Sequence, residues 1–144
     1  MIVNNFKEYF NAEIENIKKV LEEIKKIASL KPEGMDSVKL AASGTFLHNF
    51  YNGIENIIKR ALLVKGVKIK NSPGWHKETL IEAKSLNIIS AGVHTKLIPF
   101  LTFRHYFIHG YSFKLRPEEL LSLLKQADTI FCEFKKEIKE HFNL

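Results

Sequence analysis

The feature that most restricts this chain is a stripe of apolar residues at helical spacing near its start. Phe10, Ile14, Ile17, Leu21, Ile24 and Ala28 recur at steps of four and three, a period that gathers side chains on one face of an α-helix and on neither face of a strand. Val20 and Ile27 widen the stripe, while Glu13, Glu15, Lys18, Lys19, Glu22, Glu23, Lys25 and Lys26 occupy the other faces. A helix of this kind, expected over about residues 3–30, is stable only when its apolar side is covered. Glu22 and Lys26 stand at i, i+4 and are expected to pair, a contribution of about 0.2–0.5 kcal/mol. The helix should stop at Lys31-Pro32-Glu33-Gly34, since proline restricts the residue before it and glycine frees the backbone.

The same logic divides the rest of the chain. A second helix is expected from about Asp36 to Lys65, its core face formed by Val38, Ala41, Ala42, Thr45, Leu47, Phe50, Tyr51, Ile54, Ile57, Ile58, Ala61 and Leu62. Gly44 and Gly53 within it each cost about 1 kcal/mol of helix propensity relative to alanine, which points to close approaches by neighbouring helices. Residues 64–70 read as a connector, because a lone alternating segment has no strand to pair with. Asn71-Ser72-Pro73-Gly74 is a turn, with Ser72 or Asn71 expected to cap a third helix over about residues 74–89. That helix distributes Trp75, Thr79, Ile81 and Leu86 around a mixed surface. A fourth helix, about residues 92–109, carries Leu97, Ile98, Leu101, His105 and Ile108 on one side, and Pro99 is expected to kink it or reset its start. The last helix opens at Arg116-Pro117-Glu118-Glu119, with proline and acids in the first turn. Leu120, Leu124, Ala127, Phe131, Phe134 and Ile138 form its stripe. Nothing repeats, so the expectation is one all-α domain over residues 1–144, an antiparallel four- to five-helix bundle.

At 144 residues such a domain can remove roughly 70% of its extended surface from water. The 22 basic residues exceed the 16 acidic ones by six, an excess that favours an anionic partner without requiring one. Cys132 is the sole cysteine, so no intrachain disulfide forms, and its place in an amphipathic segment is read as a small buried apolar position. The opening MIVNNFKEYF lacks the pattern of a secretion signal, and no run approaches the 18 or so apolar residues of a membrane span. A cytoplasmic protein without membrane contact is expected.

Chemistry concentrates in Phe103-Arg104-His105-Tyr106-Phe107-Ile108-His109-Gly110-Tyr111. Arg104 and His109 are five residues apart, about 140° around a helix, yet a long arginine can bend toward the helix end. Gly110 suits the left-handed position just past a helix, which puts His109 in the final turn, where the negative helix end favours an imidazolium. Tyr111 can then fold back over the terminus. Cleaving an RNA phosphodiester requires a proton taken from the 2′-hydroxyl, a proton given to the leaving 5′-oxygen and cover for an anionic phosphorane. Histidine moves protons near neutral pH and a guanidinium holds phosphate oxygens, so no metal or other cofactor is needed.

Arg104, four intervening residues, His109, one residue and Tyr111 resemble the R-x4-H-x-Y motif of HepT-like ribonuclease toxins, within the HEPN superfamily. The stretch Phe46-Leu47-His48-Asn49-Phe50-Tyr51-Asn52-Gly53-Ile54-Glu55-Asn56-Ile57-Ile58-Lys59-Arg60 is similar to the second helix of that group. Trp75-His76-Lys77-Glu78 and the leucine-rich last helix also fit, so the likeness covers most of the chain. The resemblance implies a HEPN-type bundle that dimerises and brings two motifs to one cleft. It implies a nucleotidyltransferase antitoxin as partner, RNA as substrate, Arg104 and His109 as the catalytic pair, and Tyr111 as a site for AMP addition. The group commonly has a polar residue after the motif arginine, so His105 is expected to support the site.

Blander readings of the same residues stand beside these. His105 is either a supporting residue or a hydrogen-bonded core histidine; with His109 at i, i+4 it has a zinc-like spacing but no evident third ligand. Tyr111 either takes AMP or packs on Phe113. His48, Asn49, Tyr51, Asn52 and Glu55 are more polar than a bundle interior wants, and either line the cleft or, for Glu55, pair with Lys59. Lys59, Arg60, Lys65, Lys68 and Lys70 form a run of five basic residues without an acid, which is either an RNA-contacting strip or a solvated face. Trp75 and His76 either stack on a base or pack over a helix start. Two other function classes share the bundle: a non-catalytic HEPN module that binds nucleotide or RNA while docking a nucleotidyltransferase, and a structural partner with no RNA affinity.

Overall fold

The computed structural model describes residues 2–110 and 115–144. Five α-helices and no strand occur among them: α1 (Ile2–Ala28), α2 (Ser37–Val64), α3 (Trp75–Ser85), α4 (Ala91–Ile108) and α5 (Pro117–Phe142). The helix ends follow local chemistry. Pro32–Gly34 forms a short 3-10 turn between α1 and α2, and the Asp36 carboxylate caps α2 by accepting the Lys39 N–H. Ser90 caps α4 in the same way, accepting from Val93, and its own N–H and hydroxyl both donate to Glu137 of α5 at 2.7 Å. A capping side chain of this kind stabilises a helix by about 1 kcal/mol.

Four long helices form a ring in the order α1, α2, α4, α5, with α2 and α5 also touching across its centre. The pairings show that neighbours run antiparallel. Gly53 meets Ile17 while Arg60 lies over Tyr9, so α2 descends beside a rising α1. Phe50 packs on Phe100 with ring centroids 5.5 Å apart, and Gly44 meets Phe107, so α4 rises beside α2. Phe6 packs on Phe142, and Lys25 reaches Asp128, so α5 descends beside α1. The short α3 lies in the α2-to-α4 crossing and packs on both.

Around α1 and α5 the core follows the stripes visible in the sequence. Phe10, Ile14, Ile17, Leu21 and Ile24 are buried, joined by Phe6 one turn earlier; so are Leu120, Leu124, Ala127, Phe131, Phe134 and Ile138 of α5. Both glycines of α2 mark close approaches: a Cβ on Gly53 would stand 2.6 Å from Ile17 Cγ1, and one on Gly44 would stand 2.5 Å from the Phe107 ring. The approaching atoms belong to side chains rather than backbone.

Several expectations require correction. Val38, Ala41 and Thr45 are exposed, because the inner face of the first turns of α2 is the one carrying Leu40, Ser43, Gly44 and Leu47, and these three lie outside it. Cys132 is exposed as well: it stands about 100° from Phe131 on the side away from Phe134, outside the buried stripe. Lys26 pairs with Glu23 at 3.0 Å rather than with Glu22. The α3 cap is Gly74 in the left-handed region, without a side-chain hydrogen bond from Ser72 or Asn71. The helix also ends at Ser85, four residues early. There Asn87 adopts φ +58°, and the Ile88 N–H returns to the Ala83 carbonyl and the Asn87 N–H to that of Lys84, a Schellman closure. Pro99 does not reset the start of α4, which runs unbroken from Ala91 to Ile108. The proline is exposed, and the carbonyl it leaves without an N–H, that of the exposed Thr95, lies on the wet side. Among the described residues no helix is long and apolar enough to cross a membrane.

Candidate active site

The motif helix α4 is apolar on almost every side, so its inner face cannot be found by periodicity alone. Val93, Leu97, Phe100, Leu101 and Phe103 are buried, with Phe107 partly buried behind them. Ile98, His105 and Ile108, expected on the core side, are exposed. Ile98, Thr102, His105 and His109 follow one another at steps of four, three and four, and all face outward. His105 is therefore not a core histidine. Its ring meets that of His109 edge-on, with centroids 4.4 Å apart.

His109 caps α4, and Gly110 follows at φ +80° with its N–H on the Phe107 carbonyl. The left-handed residue expected after His109 is present, and it leaves the imidazole exposed at the negative end of the helix. Tyr111, like Phe113, lies outside the described residues.

Arg104 is half-buried and turns to α2, not to the end of its own helix. Its Nε donates to Asn52 Oδ1 at 2.9 Å, and Asn52 Nδ2 lies 2.9 Å from His48 Nε2. The directions are set by valence. Arginine only donates, so the Asn52 oxygen must face it; the Asn52 amide then donates to His48, whose Nε2 must be an unprotonated acceptor. The His48 proton therefore sits on Nδ1, which is buried without a hydrogen-bond partner, and the ring packs against Phe107. A neutral ring also follows from its surroundings: burial first, and the Arg104 charge second, push the His48 pKa below its ordinary 6.5. The Arg104 Nε is thus engaged by α2, and among the described residues no hydrogen bond or ion pair joins Arg104 to His109.

Beside this relay lies a second polar cluster. Glu55 is buried and holds His76 Nδ1 at 2.8 and 2.9 Å through its two carboxylate oxygens. It does not pair with Lys59, because position 55 faces α3 rather than solvent. Tyr51, fully buried, has its phenol pKa raised by burial first and the Glu55 charge second, with Arg104 opposing. The polar residues of α2 thus serve two relays, one toward α4 and one toward α3. Asn52 as the holder of Arg104 was not derivable from spacing; the available signal was its position one turn after His48 on a mostly apolar helix.

The five basic residues do not form one strip. The Lys59 ammonium lies 4.6 Å from the Trp75 ring centroid, Arg60 lies over Tyr9 of α1, and Lys65 lies over Phe142 of α5. Lys68 and Lys70 are exposed on the connector. The Trp75 and His76 rings are in contact, with centroids 3.6 Å apart and planes tilted by 30°. Among the described residues no three His, Cys, Asp or Glu side chains gather as metal ligands, so His105 and His109 have no third donor.

No curated protein matches the chain. A family model, that of HepT-like proteins, matches residues 42–143, from within α2 to the end of α5. The matched span contains both polar relays and the whole of α4. With the all-α frame and more than half of the sequence matched, the chain belongs to the HepT-like family of the HEPN superfamily, a nuclease-type group.

Proposed function

We propose that this protein is a metal-independent endoribonuclease, the toxin of a toxin–antitoxin pair silenced by a nucleotidyltransferase. The observation that carries the reading is the state of the two motif side chains. His109 stands exposed at the α4 cap, and among the described residues Arg104 is held through Nε alone, which leaves the terminal amino groups of its guanidinium for phosphate oxygens. In the reaction the substrate 2′-oxygen bonds to phosphorus, the bond from phosphorus to the 5′-oxygen breaks, and His109 takes the first proton or supplies the second. The products are a 2′,3′-cyclic phosphate and a 5′-hydroxyl end. His105, against His109, supports its orientation.

A homodimer completes the site in this reading. Ile98 and Ile108, 37% and 49% exposed, lie on or beside the α4 surface that carries His105 and His109, and a second copy seated there brings two motifs to one cleft. Tyr111 is the proposed point of inhibition: its hydroxyl attacks the α-phosphate of ATP and releases pyrophosphate, and the added AMP places negative charge where the RNA phosphate must bind. Lys68 and Lys70, exposed on the connector, serve as further RNA contacts.

Incubation with labelled RNA in EDTA tests the activity. Cleavage to cyclic-phosphate ends is expected, falling by about 100-fold or more in Arg104→Ala and His109→Ala; full activity in either folded variant removes the catalytic assignment. The engagement of Arg104 by Asn52 of α2 favours a second reading, a HEPN module that binds RNA or nucleotide and docks a nucleotidyltransferase without cutting. RNA retention with no cleavage in the same assay selects it.

A further inference from the structure

The last turns of α2, the connector and the start of α3 line an open pocket of about 310 Å³. Its polar lining is Lys59, Lys68, Asn71 and Trp75, with Leu63 and Ile69 among the apolar walls, and no carboxylate takes part. The volume lies at the low end of the range for small-ligand sites, about 300–1,000 Å³. We propose that this pocket is a nucleotide-binding subsite, with a base stacked on Trp75 and its phosphate between Lys59 and Lys68.

Three features fit that ligand. The indole is half-buried and steadied from within its own helix turn: its ring lies against the tilted ring of His76, which the buried Glu55 grips through both oxygens. A platform fixed in this way loses little freedom when a base lands on it. Lys59 already lies over the ring as a cation on a π face. It is exposed and long, so a base can take its place while the ammonium moves to the accompanying phosphate. Lys68 and Asn71 then supply a second positive charge and an amide able to donate to and accept from a base edge. Apolar walls with two cations and no acid suit a flat ring carrying an anion; they do not suit an acidic peptide lacking an aromatic ring, or a metal ion. The site lies on the α3 side of α2, apart from the α4 cap, and it deepens the ribonuclease reading by giving the substrate a second point of attachment.

Trp75 is the only tryptophan, so its fluorescence reports on this pocket alone. The full-length protein is titrated with two probes, AMP and a 2′-O-methyl oligoadenylate of about eight nucleotides, which lacks the 2′-hydroxyl needed for cleavage. Saturable quenching by the oligonucleotide is expected, weakened about ten-fold or more in Lys59→Glu and Lys68→Glu. Its dependence on salt should fall by about 0.7 in log–log slope in Lys68→Ala. Quenching by AMP at comparable concentration identifies a free nucleotide as the occupant; quenching by the strand alone identifies RNA. Absence of quenching by both probes, or quenching unchanged in the folded lysine variants, overturns the assignment, whatever protein later proves to dock there. Cleavage of unmodified RNA is measured on the same preparation. Cutting without quenching removes the subsite and leaves the ribonuclease; quenching without cutting does the reverse.

Discussion

Asn52 joins two charges of opposite behaviour, an arginine that is always cationic and a histidine that must stay neutral. Its amide has one oxygen and one nitrogen to offer, and Arg104 claims the oxygen. If His48 takes a second proton, its Nε2 becomes a donor facing the Asn52 amide donors, and no flip of the amide satisfies both neighbours. The folded-state pKa of His48 is depressed, so the unfolded chain binds protons that the folded one refuses. Stability from this group is complete above pH 6.5 and is lost as pH falls from there toward the folded value. His94, lowered by burial first and Lys84 second, acts in the same direction. The melting temperature should therefore fall between pH 7.5 and 5.5, and His48→Gln should flatten that decline; a steeper decline in the variant refutes the relay. Asn52→Leu, close in volume, releases the guanidinium. Turnover should drop about 10- to 100-fold with the circular dichroism spectrum kept, and equal turnover would mean that Arg104 needs no holder. His48 and Asn52 stood out beforehand as polar residues of a buried helix, but their partners did not. The types and order of His48, Asn52 and Arg104 were visible, but α2 and α4 had to be brought together before a hydrogen bond could be assigned.

Among the elements, α1 and α5 were legible because one face is apolar and the other charged. Their bounds and stripes follow from spacing, and so does the loop between α1 and α2. The helix α4 was not, since Ile98, Phe100, Leu101, Phe103, Tyr106, Phe107 and Ile108 surround its axis and only the neighbours decide which are covered. The glycines of α2 were a correct signal with a physical cause now in view. Gly53→Ala adds a methyl group against Ile17, which is 2% exposed and has nowhere to go. Overpacking costs about 1–3 kcal/mol, against about 1 kcal/mol of helix propensity gained. Net destabilisation by up to about 2 kcal/mol is expected in urea unfolding, and a stabilised variant would show that the two helices can part without loss. At Gly44 the obstacle is the Phe107 ring, two residues before the α4 cap. Alanine there should impair cleavage more than Gly53→Ala does at equal stability, measured by single-turnover assay.

For the whole molecule, the bundle and its four long helices were predictable, while the partition of the basic run among three different aromatic rings was not: cation–π partners come from distant parts of the chain. Association belongs to this scale. Ile108→Asp should yield a monomer by light scattering and reduce cleavage at low protein concentration; a dimer unchanged by the substitution would place the contact elsewhere. The matched family segment begins at residue 42, which leaves α1 outside it. Yet α1 walls one side of the ring, with Phe6, Phe10, Ile14, Ile17, Leu21 and Ile24 set against α2 and α5. A fragment of residues 36–144 should therefore bind a hydrophobic dye and melt without a sharp transition; cooperative melting would refute this. The stretch that the family model matches and the stretch that packs as one bundle have different edges, and a version trimmed to the first would be a barrel missing a stave.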